Sequence, residues 1–146
     1  MTLLQNKKVH FDYEVLETFT AGIELFGHEV KALRNKQGSL EGSHVTVRGG
    51  EAFLIGAYIP PYQSANTPAG YDDRRHRRLL LTKKELLTLV QYEQQKGLTV
   101  VPISMYNKGR NIKVDIAIVR GKKKHDKRET LKRRDTEREL RRTLKN

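Results

Sequence analysis

The chain has 146 residues, 36% of them hydrophobic, and sets 29 Lys and Arg against 17 Asp and Glu for a formal charge of +12. That length suits one domain with a modest core plus a tail, and so large an excess of one sign repels itself unless a polyanion (RNA, DNA or an anionic membrane surface) is the partner. No apolar run approaches the roughly 20 residues that span a bilayer, the first eight residues lack the apolar stretch of a signal peptide, and the absence of Cys excludes disulfides and thiolate metal sites, so a membrane partner is disfavoured and the cytoplasm is the expected compartment.

Val9, Phe11, Tyr13 and Val15 alternate with His10, Asp12 and Glu14, the period of a half-buried strand. From Ala21 the spacing changes: Ile23, Phe26, Val30 and Leu33 fall on one helical stripe, with Gly27 as an interruption. Val45–Arg48 and Glu51–Ile59 read as strands joined by Gly49-Gly50, which tolerate the positive φ of a tight hairpin. Pro60–Arg75 has no periodicity and holds three Pro, so it is a long loop, functional or disordered. His76–Leu81 reads as a strand. Thr82 and Glu85 have capping-box spacing ahead of a helix running to Lys96, with Gly97 placed to terminate it. Leu98–Tyr106 and Ile112–Val119 are strands flanking a turn at residues 107–111, the second alternating Ile112, Val114, Ile116 and Ile118 with polar positions. Six strands, two or three helices and hairpin-length connections predict a mostly β domain over residues 1–120, a small antiparallel barrel with peripheral helices, since closure removes edges.

From Gly121 the composition shifts. Lys122–Asn146 holds twelve Lys and Arg against five Asp and Glu, and Leu131, Leu140 and Leu144 are its only large apolar residues. These cannot offset the ordering entropy, so residues 121–146 are expected to be a basic tail, disordered when free. Glu129–Arg133 and Glu137–Arg141 are favourable i,i+4 pairs, which suits a helix formed on a polyanion. A solubilising charged tail would have the same composition.

The five His form no HExxH pair or cluster, and Gly38–Ser43 lacks the ending of a phosphate-binding loop. Neither a metal nor another cofactor is expected. Asp72, Asp73, Arg74, Arg75 and His76 are the nearest approach to a catalytic cluster, and neighbouring charges of this kind ordinarily make a solvated loop. Arg75, Arg77 and Arg78 make better sense as RNA contacts, because guanidinium matches phosphate geometry. Phe11, Tyr13 and Phe26 lie in apolar phase and are expected in the core. Tyr62 and Tyr71, in the long loop, are freer to meet RNA, and so is His125.

Several segments in order resemble the SsrA-binding protein family, also called small protein B. They are Asn6-Lys7-Lys8, Phe19–Ile23, Gly27–Arg34, Gly50–Leu54, Arg77–Leu81, Lys96–Pro102 and Gly121–Arg128. The resemblance implies a barrel of the oligonucleotide-binding type that binds transfer-messenger RNA and takes it to ribosomes stalled on messages without a stop codon. The barrel would stand in for the missing anticodon arm. The tail would occupy the empty message channel and decoding centre, as a monomer on the RNA and without chemistry of its own. By position, Asn6, Lys7, Lys8, Thr20 and Leu80 fall in segments similar to those that contact the RNA. Gly121, Lys122, Lys123, Lys124, His125, Asp126, Lys127 and Arg128 match the decoding-centre part of the tail. Thr20 stands where the family usually has Glu, and Asp73 where it usually has Pro, so local contacts differ there.

Two other readings compete. One is a structural ribosomal or other RNA-binding barrel with a basic tail, distinguished by stoichiometric ribosome association. The other is an RNA-processing enzyme using the Asp72–His76 cluster, which requires turnover that depends on Asp72 and Asp73.

Overall fold

The computed structural model describes residues 2–62 and 68–121. In chain order they form β1 (Thr2–Gln5), α1 (Val9–Asp12), β2 (Tyr13–Ile23), α2 (Gly27–Arg34), β3 (His44–Arg48), β4 (Glu51–Ile55), β5 (Arg77–Leu80), α3 (Lys83–Glu93), β6 (Leu98–Lys108) and β7 (Asn111–Gly121). The strands make one sheet, in the order β1-β6-β7-β2-β5-β4-β3, with every neighbouring pair antiparallel.

The mostly β expectation holds, with two differences. The described residues contain seven strands rather than six, because β1 is too short to show a period. The sheet also bends until β3 lies against β6, yet no ladder joins them, so β1 and β3 remain its edges. The barrel is a curled sheet without a hydrogen-bonded seam.

Its concave side is filled by Val114, Ile116 and Ile118 of β7, Val100 and Met105 of β6, Leu54 and Leu79, with Leu33 of α2 and Leu89 of α3 closing the core. Alternation along β7 therefore reports burial correctly. At its far end the strand is buried on both sides, since Ala117 and Val119 face a second, smaller cluster with Val9 and Val101. That cluster explains the first error of pattern reading. Residues 9–15 are not one strand: Val9–Asp12 is a helical turn that drops Val9, 1% exposed, onto the outer side of the sheet, and β2 begins only at Tyr13.

The second error is the helix start. β2 runs through Ile23, paired to β7 along nearly its whole length, and α2 begins at Gly27. Gly27 is thus the first helical residue, not an interruption. Phe26 is the N-cap and stands 48% exposed, outside the core. The apparent stripe joined a strand residue, Ile23, to the helix residues Val30 and Leu33, all of which pack on the same core.

The turn chemistry was legible. Gly49 and Gly50 take φ of +59° and +78° between β3 and β4. The Glu85 N–H donates to Thr82 Oγ1 at 3.2 Å while the Thr82 N–H donates to Glu85 Oε1 at 3.0 Å, completing the box that starts α3. That helix stops at Glu93, earlier than Lys96, and Gly97 (φ +86°) serves the turn into β6.

Candidate nucleic-acid interface

The site begins with β5, whose four residues alternate buried Arg77, exposed Arg78, buried Leu79 and exposed Leu80. Residues opposite one another in a ladder share a face. Lys113 and Asp115, alternating with the inward Ile112, Val114 and Ile116, point outward, and their partners point outward with them. One row across the outer face is Leu80, Gly22, Lys113 and Tyr106; the next is Thr20, Asp115, Ser104 and Gln5. Leu80 is 47% exposed and lies over Gly22, where even a methyl group would come within 3.2 Å of the leucine Cβ. The glycine lets the leucine lie flat on the sheet. Thr20, Gly22, Arg78, Leu80 and Lys113 border one cleft of about 430 Å³.

Thr20 does not act alone there. Its hydroxyl donates to Asp115 Oδ1 at 3.0 Å, and the Tyr106 hydroxyl donates to the same oxygen at 2.9 Å. Arg78 is held over the surface by exposed pairs to Glu24 (3.0 Å) and Glu51 (3.3 Å). Such pairs exchange readily with solvent or a stronger anion.

Arg77 is a correction to the sequence reading: it is 0% exposed and cannot meet RNA. Its Nε donates to Glu29 Oε2 at 2.8 Å, Nη1 to the Ala57 carbonyl at 2.7 Å and Nη2 to the Tyr71 hydroxyl at 3.0 Å. Glu29, fully buried on α2, also accepts from Arg75, from the Tyr71 hydroxyl (2.8 Å) and from the Phe26 N–H (2.7 Å). Burial alone would raise the Glu29 carboxyl. The donors from Arg75, the Phe26 backbone and Tyr71, with the Arg77 charge, outweigh it and bring the carboxyl down to about 2. Burial, then the Glu29 bond and charge, push the Tyr71 phenol up to about 12. Arg75 is half-buried, with its guanidinium 4.0 Å above the Phe26 ring. This knot ties α2, the loop ending at residue 76 and β5 together. Tyr71 belongs to it, and Tyr62 packs against the core, so neither is the free loop aromatic that the sequence suggested.

Asn6, Lys7 and Lys8 lie three strands away. Gln5, just before Asn6, is in the Thr20 row, which puts the two groups roughly 14 Å apart at ordinary strand spacing. Asn6 spends its backbone N–H on the Ile103 carbonyl (2.7 Å) and its side-chain amide on the Pro102 carbonyl (3.2 Å), pinning the end of β1. Lys7 is exposed, and Lys8 pairs with Glu41 at 2.7 Å beside a polar cleft of about 450 Å³.

In the loop before β5, Asp72 accepts the Arg74 N–H at 2.9 Å and the Asp73 carbonyl accepts from Arg77 at 3.2 Å. Both residues build the turn. Among the described residues no group of three or more His, Asp or Glu could hold a metal ion, and no helix is long and apolar enough to cross a membrane. Gly121 ends β7 opposite Tyr13. Lys122, Lys123, Lys124, His125, Asp126, Lys127 and Arg128 lie outside the described residues.

Pattern reading missed Gly22, Lys113 and Phe26. Lys113 was visible as a polar position of β7, but its place beside Leu80 depends on the cross-strand register. Gly22 lies inside the family-like segment Phe19–Ile23, but no periodicity singled it out.

Comparison with known proteins adds the context. The family described as SmpB protein matches residues 3–146. A protein named SsrA-binding protein from Gloeothece citriformis is 47% identical over 143 residues, 98% of this chain and 92% of that one. Its namesake from Oleidesulfovibrio alaskensis is 49% identical over 142 residues, 97% and 91% of the two chains. A chain from a solved structure described as "tmRNA-SmpB: a journey to the center of the bacterial ribosome" superposes with a TM-score of 0.71 at 43% identity, covering 85% of this chain and 87% of that one.

Proposed function

The chain belongs to the SmpB protein family, and we propose that it binds transfer-messenger RNA on the outer face of its sheet and accompanies that RNA to stalled ribosomes. The names of its relatives and the ribosomal setting of its structural neighbour support this reading. The observation that carries it is the Leu80–Gly22 surface. An exposed leucine laid on a glycine, flanked by Arg78, Lys113 and the Thr20 hydroxyl, offers an apolar platform with cations at its rim. Single strands and unpaired loops of RNA are recognised by that combination of stacking area and phosphate pairing.

The work divides between two parts. The sheet holds the RNA in place of a missing anticodon arm, and residues 121–146 read the empty message channel and decoding centre. Gly121 lies eight residues along β7 from Lys113, roughly 26 Å at strand rise, so the point where the tail begins is far from the Leu80 surface. The protein acts by binding alone, in the cytoplasm where ribosomes work, as one copy on its RNA. Asp72 and Asp73, engaged in the turn before β5, form no catalytic group in this reading.

The test compares the full chain with a chain ending at Gly121. Both should bind transfer-messenger RNA with nearly equal affinity in a filter or fluorescence assay, while tagging of nascent chains on ribosomes with an empty message channel should collapse for the shorter one. Within the full chain, His125→Ala should impair peptidyl transfer more than recruitment. Loss of RNA binding and tagging together on truncation would overturn the two-part reading.

A further inference from the structure

Beside the Leu80 surface lies a second cleft, of about 720 Å³, bordered by Phe26, Phe53, Arg75, His76, Arg78 and Glu24. Arg78 borders both clefts, so they adjoin across its side chain. Nothing in the family resemblance or the fold requires an exposed aromatic at Phe26. The position is an N-cap, and the cap contact it makes is its backbone N–H to Glu29. The ring itself is nevertheless fixed. Arg75 covers one side at 4.0 Å, His28 packs at 5.8 Å, and Arg75 is itself anchored on buried Glu29. About half of the residue still faces solvent.

We propose that this cleft is a nucleotide-binding subsite, in which an unpaired base of the bound RNA stacks on Phe26 and its phosphate meets Arg78 or His76. Three features favour an RNA segment over an apolar peptide. Arg75 is neutralised by buried Glu29 and serves the platform, while exposed Arg78 and His76 at the rim leave donors within reach of a phosphate. The pairs of Arg78 with Glu24 and Glu51 are exposed on both sides, and a phosphate can replace them at little cost. The platform is pre-ordered by a buried ion-pair network, so stacking orders little new on the protein side. The subsite rests on the proposed function for the identity of the RNA, although not for the chemistry of stacking.

The experiment measures affinity over a salt series for two probes: transfer-messenger RNA, and a 12-nucleotide single-stranded RNA carrying 5-iodouridine. Phe26→Ala should weaken both by roughly 5- to 150-fold, the range of one base–aromatic stack, with the salt slope unchanged. Phe26→Trp should restore binding. Irradiation of the iodinated RNA on the unsubstituted chain should place the crosslink on Phe26, a readout that needs no variant to fold. Wild-type affinity and slope in Phe26→Ala, with the crosslink elsewhere, would overturn the subsite while leaving the proposed function standing. Failure of transfer-messenger RNA to bind the unsubstituted chain, with Phe26-dependent capture of the short RNA, would overturn the function and keep the subsite. Binding of neither RNA would overturn both.

Discussion

Arg77 and Arg78 are consecutive residues with the same charge, and the pleat of β5 sends them to opposite sides of the sheet. Arg77 enters the interior, where Glu29, Tyr71 and backbone carbonyls satisfy its donors. Arg78 stays on the outer face with two exposed carboxylates that compete poorly for it. The inner residue holds the loop before β5 and α2 in position. The outer one, with Leu80 beyond it, is free to meet a partner. Charge by itself therefore does not mark a nucleic-acid contact; what matters is whether the protein has already neutralised it.

The largest effect separating the two sides is on stability. Arg77→Ala or Glu29→Ala leaves a buried charge without its partner and should cost about 3–5 kcal/mol in urea unfolding, whereas Arg78→Ala should change stability by less than about 1 kcal/mol. Equal losses would erase the distinction between inside and outside.

Acid should sharpen it next. The Glu29 carboxyl sits near 2 in the folded chain against an ordinary 4.5. A lowered folded value means that the stabilisation is fully present above about 4.5 and drains away as pH falls toward 2. A gap of that size corresponds to about 3 kcal/mol. Unfolding curves between pH 6 and pH 2 should show the decline, and Glu29→Gln should remove most of its pH dependence while lowering stability at pH 6. A decline of the same steepness in Glu29→Gln would assign it to other carboxylates.

On the outer side, Leu80→Ala should weaken RNA binding by roughly 1–2 kcal/mol through lost apolar contact, with the salt slope kept. Its effect on unfolding should be smaller than that on binding, since Leu80 is half exposed while its neighbour Leu79 is 2% exposed. Leu79→Ala should show the reverse: a folding defect. Titration of the RNA and urea unfolding on both variants would establish the exchange of roles.

The smallest effect is electrostatic. Arg78→Ala should lower the magnitude of the log K against log salt slope by about 0.7–0.9, one phosphate's share. A larger change would mean that the variant disturbs Lys113 or His76 as well.

Much of this was determined by local sequence. The β6–β7 alternation, the Gly49-Gly50 hairpin and the Thr82–Glu85 box each specify a conformation within a few residues, and the fold keeps all three. The ordered family segments carried the family, which the match over residues 3–146 shows, and Leu80 stands exposed on the outer face. Tertiary structure decided the rest. Residues 9–15 alternate as a strand should, but a small apolar patch on the outer side of β6 and β7 needed covering, and Val9 covers it from a helical turn. Phe26 fits a helical stripe on paper, yet β2 continues to Ile23 because β7 and then β5 pair with it, and the helix starts too late to bury the ring. The fate of Arg77 rested on Glu29, which is 48 residues from it in the chain and in contact with it in space. Periodicity is a short-range property and states which residues share a face. Only long-range packing states what that face meets, and so whether a charge is neutralised inside or offered to a partner.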